Sequence, residues 1–148
     1  MIGAASERPD VVAELIGDGL HVHPSAVRMA FKLFPGRICL ISDSLRCCGM
    51  PDGEYELGGQ QAFLKDGIAR LADGTIAGAA SDLFADLRNV ISFGIPAAEA
   101  IRAATIIPAR EIGRACEIGS IEEGKLADFV VCTPDFERKA VYIGGEKI

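Results

Sequence analysis

The chain has 148 residues, a formal net charge of −6, 49% hydrophobic residues and no tryptophan. This length supports one domain with an aliphatic core, and the absence of a Lys/Arg cluster argues against binding to nucleic acid or to an anionic membrane. No apolar run approaches the ~20 residues of a membrane span. The N-terminal segment "MIGAASERPD" has neither the basic start nor the apolar region of a signal peptide, so we do not expect one there.

Residues 11–42 predict a strand–helix–strand unit. The apolar runs "VVAELI" (Val11–Ile16) and "RICLIS" (Arg37–Ser42) are typical of buried parallel strands. Between them, Pro24 suits a first helical turn, and apolar residues at three-to-four spacing continue up to Phe34. The loops at the carboxyl ends of such strands are where α/β folds place their chemistry.

The middle of the chain, at about residues 51–78, predicts a small antiparallel insertion. Its short β segments are separated by Gly58-Gly59, Asp66-Gly67 and Asp73-Gly74. Asp-Gly between alternating runs is a strong hairpin signal, so we expect consecutive strands to pair with each other.

The last third of the chain predicts helices and then strands. We expect helices over Ser81–Phe93, Pro96–Thr105 and Pro108–Ile112, the first with an apolar side formed by Leu83, Leu87, Val90 and Ile91. The segments "ADFVVC" and "AVYIGG" predict terminal strands with a Gly-Gly turn. This organisation leaves the two parallel strands without enough neighbouring strands and helices to form a sheet that is covered on both faces, as parallel sheets are. We therefore expect the chain to be the end of something larger, with unpaired edges that favour self-association.

The cysteines and histidines give little support to a metal site within the chain. The five cysteines (Cys39, Cys47, Cys48, Cys116, Cys132) are an odd number without C-x-x-C spacing, which favours a reduced chain with a cytoplasmic location over a disulfide scaffold. A catalytic zinc usually has three protein ligands, and His21 and His23 are the only histidines. We therefore favour loop histidines that contact substrate, or that are only polar, over a pair of metal ligands. Asp43, at the end of the second predicted strand, is either a cap or turn residue or a carboxylate that exchanges protons in catalysis.

Six segments carry a resemblance to a known family: "ELIGDGLHVHP", the "SDS" after "RICLI", "MPDGEYELGG", "DGTIAGAASDLFADLRN", "AATIIPAREIG" and "GSIEEGKLADFVV". In this order and spacing they resemble the C-terminal portion of the N-acetylglucosamine-6-phosphate deacetylases, a family of the amidohydrolase superfamily. The resemblance covers essentially the whole chain. The family usually has "TDA" in place of "SDS", and "SG" in place of Ala77-Gly78, but neither difference removes the aspartate or the glycine.

The resemblance implies an α/β fold that is the C-terminal part of a metal-dependent (β/α)8 TIM-type barrel. Residues 1–113 would supply the last two barrel strands and the following helices, with a β-hairpin insertion at about 51–78. Residues 114–148 would supply the C-terminal strands of a small β-sandwich domain.

The resemblance also implies roles for single residues. Asp43 matches the catalytic aspartate on the eighth barrel strand, and His21 matches a substrate-contacting histidine after the seventh. The substrate-binding positions implied beside His21 are Asp18, Gly19 and Leu20. A second substrate-binding segment is implied at Ile76, Ala77 and Gly78. His23 has no functional counterpart, and we expect it to face solvent.

The complete enzyme implied by the resemblance hydrolyses the acetamide of N-acetylglucosamine 6-phosphate to glucosamine 6-phosphate and acetate, in amino-sugar catabolism. It uses a divalent metal, zinc or iron, whose ligands match no position here, so we expect the chain alone to bind no metal and to be inactive. Its expected partners are the sugar-phosphate substrate and the missing N-terminal portion. The alternatives are a non-catalytic remnant that acts as an oligomeric or partner-binding module, and a fragment of another amidohydrolase.

Overall fold

The first part of the chain forms the predicted strand–helix–strand unit. The computed structural model describes residues 1–148, and it begins with a short helix α1 (Ile2–Ser6) that the sequence did not predict. Strand β1 (Ala13–Ile16), helix α2 (Pro24–Leu33) and strand β2 (Ile38–Ile41) follow. The two strands are parallel, with Ile16 opposite Ile41, so the loops after them leave at the same edge of the sheet.

The insertion is a small antiparallel sheet, as predicted, and it has four strands. Its strands are β3 (Gly53–Leu57), β4 (Gln60–Lys65), β5 (Ile68–Leu71) and β6 (Ile76–Ala79), paired in that order. The three predicted turns join them. At the second turn Asp66 and Gly67 both have positive φ, 52° and 75°, which is the backbone conformation that makes Asp-Gly a hairpin signal.

Three helices and a second antiparallel sheet complete the chain. The helices are α3 (Leu83–Ser92), α4 (Ala97–Ala104) and α5 (Ile106–Glu111). Helix α5 begins two residues before the predicted start at Pro108, because a proline in the first turn needs no amide hydrogen bond. The final sheet contains β7 (Phe129–Cys132), β8 (Arg138–Ile143) and β9 (Glu146–Lys147). None of the five helices has the length and apolar content that a membrane span requires.

The main core lies between the parallel strands and helices α2, α3 and α4. Its eleven buried residues are mostly aliphatic: Leu15, Val27, Phe31, Phe34, Ile38, Leu40, Leu87, Val90, Ile95, Ala100 and Ala103. A separate small cluster of Cys47, Leu64 and Ala69 lies under the insertion. One face of the parallel strands is therefore packed against helices, while the loops that follow β1 and β2 lie at the surface.

Arg37 fastens the N-terminal segment to the start of β2. Its guanidinium donates to the carbonyl oxygens of Arg8 (2.6 Å), Val11 (2.8 Å) and Ser6 (2.8 Å). It also lies 5.2 Å from the centre of the Phe34 ring. One half-buried cation thus satisfies three carbonyl groups ahead of β1, which explains why helix α1 and the following turn are held against the sheet.

We predict that Arg37→Ala lowers the free energy of unfolding by about 2–3 kcal/mol, because charge-assisted hydrogen bonds to three carbonyls are lost together. Urea denaturation of the purified chain measures the change. Arg8→Ala is the matched control: Arg8 only pairs with Asp10 at the surface, so its loss should stay within about 0.5 kcal/mol. Equal effects of the two substitutions would contradict the role given to Arg37.

Candidate active site

Asp18 shapes the loop that follows β1. Its Oδ1 accepts hydrogen bonds from the amides of Leu20 (2.9 Å) and His21 (3.0 Å), and its Oδ2 lies 2.7 Å from Nδ1 of His21. The side chain of Asp18 is only 4% exposed, whereas that of His21 is 21% exposed. One carboxylate therefore folds the loop locally, as aspartates do in turns, and also fixes the orientation of the imidazole.

The charge on Asp18 determines which nitrogen of His21 is free. Burial by itself would raise the pKa of Asp18, but hydrogen bonds from the His21 ring and from the amides of Leu20 and His21 outweigh it and hold the pKa below its ordinary value. The ionised carboxylate can only accept, so Nδ1 carries the hydrogen of this contact. Nε2 is left for another partner, as an acceptor in the neutral ring and a donor in the protonated one.

The loop lies directly against helix α3. A Cβ atom at Gly17 would come within 2.9 Å of a methyl group of Val90 and 3.1 Å of Cβ of Asp86, so the backbone touches the helix where only glycine fits. Gly19 lies close to the Phe93 ring, and Leu20 is 49% exposed. The predicted substrate loop thus has a rigid support behind it and exposed side chains in front.

Asp43 occupies the corresponding place after β2. It comes two residues after Ile41, and Asp18 comes two residues after Ile16, the partner of Ile41 in the strand register. Asp43 is exposed and has a φ of 50°, a left-handed conformation that aspartate tolerates better than most residues. The structure therefore brings both carboxylates to one edge of the parallel sheet, with the side chain of Asp43 facing solvent.

The end of the insertion is attached next to Asp43. The carbonyl oxygen of Asp43 accepts from the amide of Ala79 (3.0 Å), and the amide of Leu45 donates to the carbonyl of Ala79 (2.9 Å). These bonds form a parallel bridge between Ser44 and Ala79. The Ser44 hydroxyl also donates to the carbonyl of Ser81 (2.5 Å). Ile76, Ala77 and Gly78, in strand β6, therefore approach the strand end that carries Asp43.

Gly78 is the point of closest approach in this junction. It is buried, its φ is 153°, and a Cβ atom there would lie 2.8 Å from Cδ2 of Leu45 and 3.2 Å from the carbonyl oxygen of Asp43. Real Cβ atoms essentially never come within 3.0 Å of another heavy atom, so a larger residue at this position would have to displace Leu45 and press on the backbone of Asp43. Glycine therefore suits the bridge between Ser44 and Ala79 best.

We predict that Gly78→Ala destabilises the chain by about 1–3 kcal/mol more than Gly74→Ala does. Both glycines have positive φ, so both variants carry backbone strain, but a methyl group at Gly74 meets nothing within 4 Å. Urea denaturation of both variants isolates the contribution of crowding. Indistinguishable losses of stability would show that the junction is looser than the distances imply.

Asp86 is a buried carboxyl group that the sequence prediction missed. Its side chain is fully buried, Oδ1 accepts from the Ser81 hydroxyl at 2.7 Å, and Oδ2 has no hydrogen-bond partner. Its pKa is raised to about 6, mainly by burial and to a smaller extent by the negative charges of Asp18 and Asp82, while the Ser81 hydrogen bond opposes the rise. The signal was present in the sequence, since position 86 falls at helical spacing within the apolar side of Leu83, Leu87 and Val90.

The side chains of this chain do not fit the divalent metal that the family resemblance implies. His23 is exposed, and its Nδ1 accepts from the amide of Ser25 (3.2 Å), so it caps helix α2. Nδ1 of His21 is bound to Asp18. In the 148 residues, no three His, Cys, Asp or Glu side chains lie together as a metal site needs.

Comparison with known proteins gives a consistent set of relatives. The sequence profile of the amidohydrolase family matches residues 5–148. The chain is 34% identical over its full length to an N-acetylglucosamine-6-phosphate deacetylase of Vibrio furnissii, of which it covers 37%. It is 36% identical to a putative N-acetylgalactosamine-6-phosphate deacetylase of Escherichia coli K12, and here the matched region is 88% of the relative.

Solved structures agree with the sequence relatives. The fold is similar to that of N-acetylglucosamine-6-phosphate deacetylase from Pasteurella multocida, with a TM-score of 0.92 and 30% identity, over 99% of this chain and 38% of that one. A Mycobacterium smegmatis N-acetyl-D-glucosamine-6-phosphate deacetylase mutant, crystallised with N-acetyl-D-glucosamine-6-phosphate, matches with a TM-score of 0.89 and 33% identity, over 97% of this chain and 39% of that one. The chain thus spans somewhat more than a third of the length of most of these relatives.

Proposed function

Because the chain belongs to the amidohydrolase family, we propose that it is the C-terminal portion of an N-acetylglucosamine-6-phosphate deacetylase and provides the substrate-facing part of its active site. The resemblance to these deacetylases extends over the whole chain, both in sequence and in structure. The single observation that carries the proposal is the meeting of two segments at one sheet edge: Asp43 at the end of β2, and the Asp18–His21 loop after β1.

We assign β1, α2 and β2 to the closing part of a (β/α)8 barrel. Support comes from the parallel pairing of the two strands and from the near-complete overlap with chains that are more than twice as long. On this proposal residues 1–113 are barrel, interrupted by the β insertion, and residues 114–148 are strands of a small β-sandwich. Large apolar side chains at the surface, including Ile121 at 90% and Ile112 at 67% exposure, would be covered by the rest of such an enzyme.

The reaction we propose is hydrolysis of the acetamide of N-acetylglucosamine 6-phosphate. Water adds to the carbonyl carbon, the C–N bond breaks, and the products are acetate and glucosamine 6-phosphate. Asp43, exposed at its strand end, takes a proton from the attacking water and returns it to the departing amine, which would otherwise be a very poor leaving group.

His21 is the proposed substrate contact. Asp18 holds Nδ1, so Nε2 is directed to the substrate and, in the protonated ring, donates a hydrogen bond to it near the reacting carbonyl. Leu20 and the exposed part of the loop line the same side, and the backbone of Ile76–Gly78 supplies the opposite wall.

Amidohydrolases generally depend on a metal, and we propose that other parts of the complete enzyme hold it, since the residues of this chain do not fit one. Those parts would also pair with the open edges of β1 and β2. In their absence we expect self-association of the chain through these edges.

A second candidate substrate is N-acetylgalactosamine 6-phosphate, which differs only in the configuration of one ring carbon. Two Escherichia coli relatives named for this sugar are 36% identical to the chain. This is similar to the 34% identity with the N-acetylglucosamine-6-phosphate deacetylase of Vibrio furnissii. Both sugars carry the same acetamide, so the roles proposed for Asp43 and His21 apply to either.

We predict that Asp43→Asn reduces acetate release by about 1,000-fold or more, because asparagine keeps the shape of the residue but cannot accept the proton. The assay uses a fusion in which this chain replaces the matched segment of the Vibrio furnissii relative. Acetate is measured with each of the two acetylated sugar phosphates.

Asp66→Asn is the matched control for that experiment. Asp66 also is an exposed aspartate with a φ near 50°, but it lies in a hairpin turn of the insertion. Its replacement should leave the rate within about twofold, because asparagine tolerates the same left-handed backbone. A folded Asp43→Asn fusion with the rate of the unsubstituted fusion would reject the catalytic role.

A further inference from the structure

Asp86 lies between the two segments that form the candidate active site. On one side, its Cβ and carbonyl oxygen pack against the backbone of Gly17, which precedes Asp18. On the other side, Ser81 donates to its Oδ1 (2.7 Å), and the carbonyl of Ser81 in turn accepts from the hydroxyl of Ser44 (2.5 Å). A continuous set of contacts therefore runs from the loop of His21, through Asp86, to the residue beside Asp43.

The surroundings of Asp86 disfavour a negative charge. The group has no exposed surface, one neutral hydroxyl as donor, and one oxygen without any partner. The ionisable groups that act on it are Asp18 and His21 from the loop after β1, and Asp82 at the start of its own helix. Asp18 is itself almost fully buried and carries a negative charge, while Asp82 is paired with Arg138 at the surface. An ionised Asp86 would thus lie within reach of the negative charge of Asp18, with one of its own oxygens left without a hydrogen-bond donor.

We propose that Asp86 is a positioning residue: its neutral, buried carboxyl group holds the His21 loop and the Ser44 segment together, and its ionisation loosens both. The role belongs to this helix position and is separate from the proton transfer assigned to Asp43. The Asp43 and His21 side chains would then present themselves at a fixed separation only while Asp86 is protonated.

The direction of the pH dependence follows from the burial of Asp86. Its pKa is about 6 in the folded chain, whereas the ordinary value, which applies to the unfolded chain, is 3.8. The folded state therefore binds the proton more tightly than the unfolded state. The stabilisation of the folded state by the protonated Asp86 is fully present below about pH 4 and is lost as the pH rises through about 6. A difference of about two units corresponds to a change of about 100-fold in the folding equilibrium constant.

The test compares the chain with Asp86→Asn, which has nearly the same shape but does not titrate. Between pH 4 and pH 8, the folding equilibrium constant of the unsubstituted chain should fall about 100-fold relative to that of the variant, as measured by urea denaturation. Asp82→Asn, which keeps an N-cap residue on the same helix, should leave most of this pH dependence in place, because the charge of Asp82 contributes less to the raised pKa of Asp86 than burial does. If Asp86→Asn does not fold, Asp86→Ala serves in its place, since it also removes the titrating group.

The positioning role has a readout that a purely structural role would not move. In folded 15N-labelled chain, the amide signals of Gly17 and Ser44 should titrate together with the 13C signal of the Asp86 carboxyl. Because histidine rings titrate in the same pH range, the measurement is repeated in the His21→Ala background. Loss of the titration at both amides in Asp86→Asn supports the proposal. Amide signals that do not follow Asp86, or that titrate unchanged in Asp86→Asn, would overturn it.

The consequence for substrate rests on the proposed function and is measured separately in the fusion enzyme. As the pH rises from 5 to 8, KM of the unsubstituted fusion should rise several-fold relative to that of the Asp86→Asn fusion, while the ratio of their kcat values stays nearly constant. A fusion that is inactive in both forms would count against the proposed function, and the amide titration would still decide the role of Asp86. Parallel KM profiles would contradict the coupling to substrate.

Discussion

The bridge between Ser44 and Ala79 is the contact on which the candidate site depends. Its two backbone hydrogen bonds join Ala79 to the residues on either side of Ser44, and they attach the end of the insertion to the end of β2. Without this bridge, the insertion would be a separate antiparallel sheet and Ile76–Gly78 would have no fixed relation to Asp43. The absence of a side chain at Gly78 lets Leu45 and the backbone of Asp43 lie close to β6, so this glycine favours the approach of the two sheets.

The other half of the site depends on buried carboxyl groups rather than on backbone pairing. Asp18 pays for its burial with three hydrogen bonds and stays ionised, and in doing so it orients His21. Asp86 has only one hydrogen bond and is driven toward its neutral form. Asp18 and Asp86, which lie on either side of the contact between the loop and helix α3, thus have opposite protonation preferences. The difference arises from the number of hydrogen-bond donors that each carboxyl group reaches. Such a pair places a titrating group directly behind the loop that we assign to substrate binding.

Local patterns in the sequence predicted the elements, but not the contacts between them. The apolar runs gave β1 and β2, the helical spacing gave α2 and α3, and the Asp-Gly pairs gave the hairpins, because each of these is a short-range property. Helix α1 was missed, since it has five residues and no buried side chain and is held by Arg37 from elsewhere in the chain. The bridge between Ser44 and Ala79 has no local signal at all. The sequence does not reveal the burial of Asp86 for a different reason: its helical spacing is visible, but a charged residue beside an apolar face is ordinarily at the surface.

Three separate segments are proposed to form one surface for an acetylated sugar phosphate, and an NMR titration of the 15N-labelled chain can detect that surface. With N-acetylglucosamine 6-phosphate, we expect chemical-shift changes at the amides of Asp18–His21, Asp43–Ser44 and Ile76–Gly78. These changes should be weaker with glucose 6-phosphate, which lacks the acetamide. They should also be weaker when N-acetylglucosamine 6-phosphate is added to the His21→Ala variant. Changes that concentrate on other parts of the chain, or that are the same for both sugar phosphates, would show that the three segments do not form a surface for the acetylated sugar.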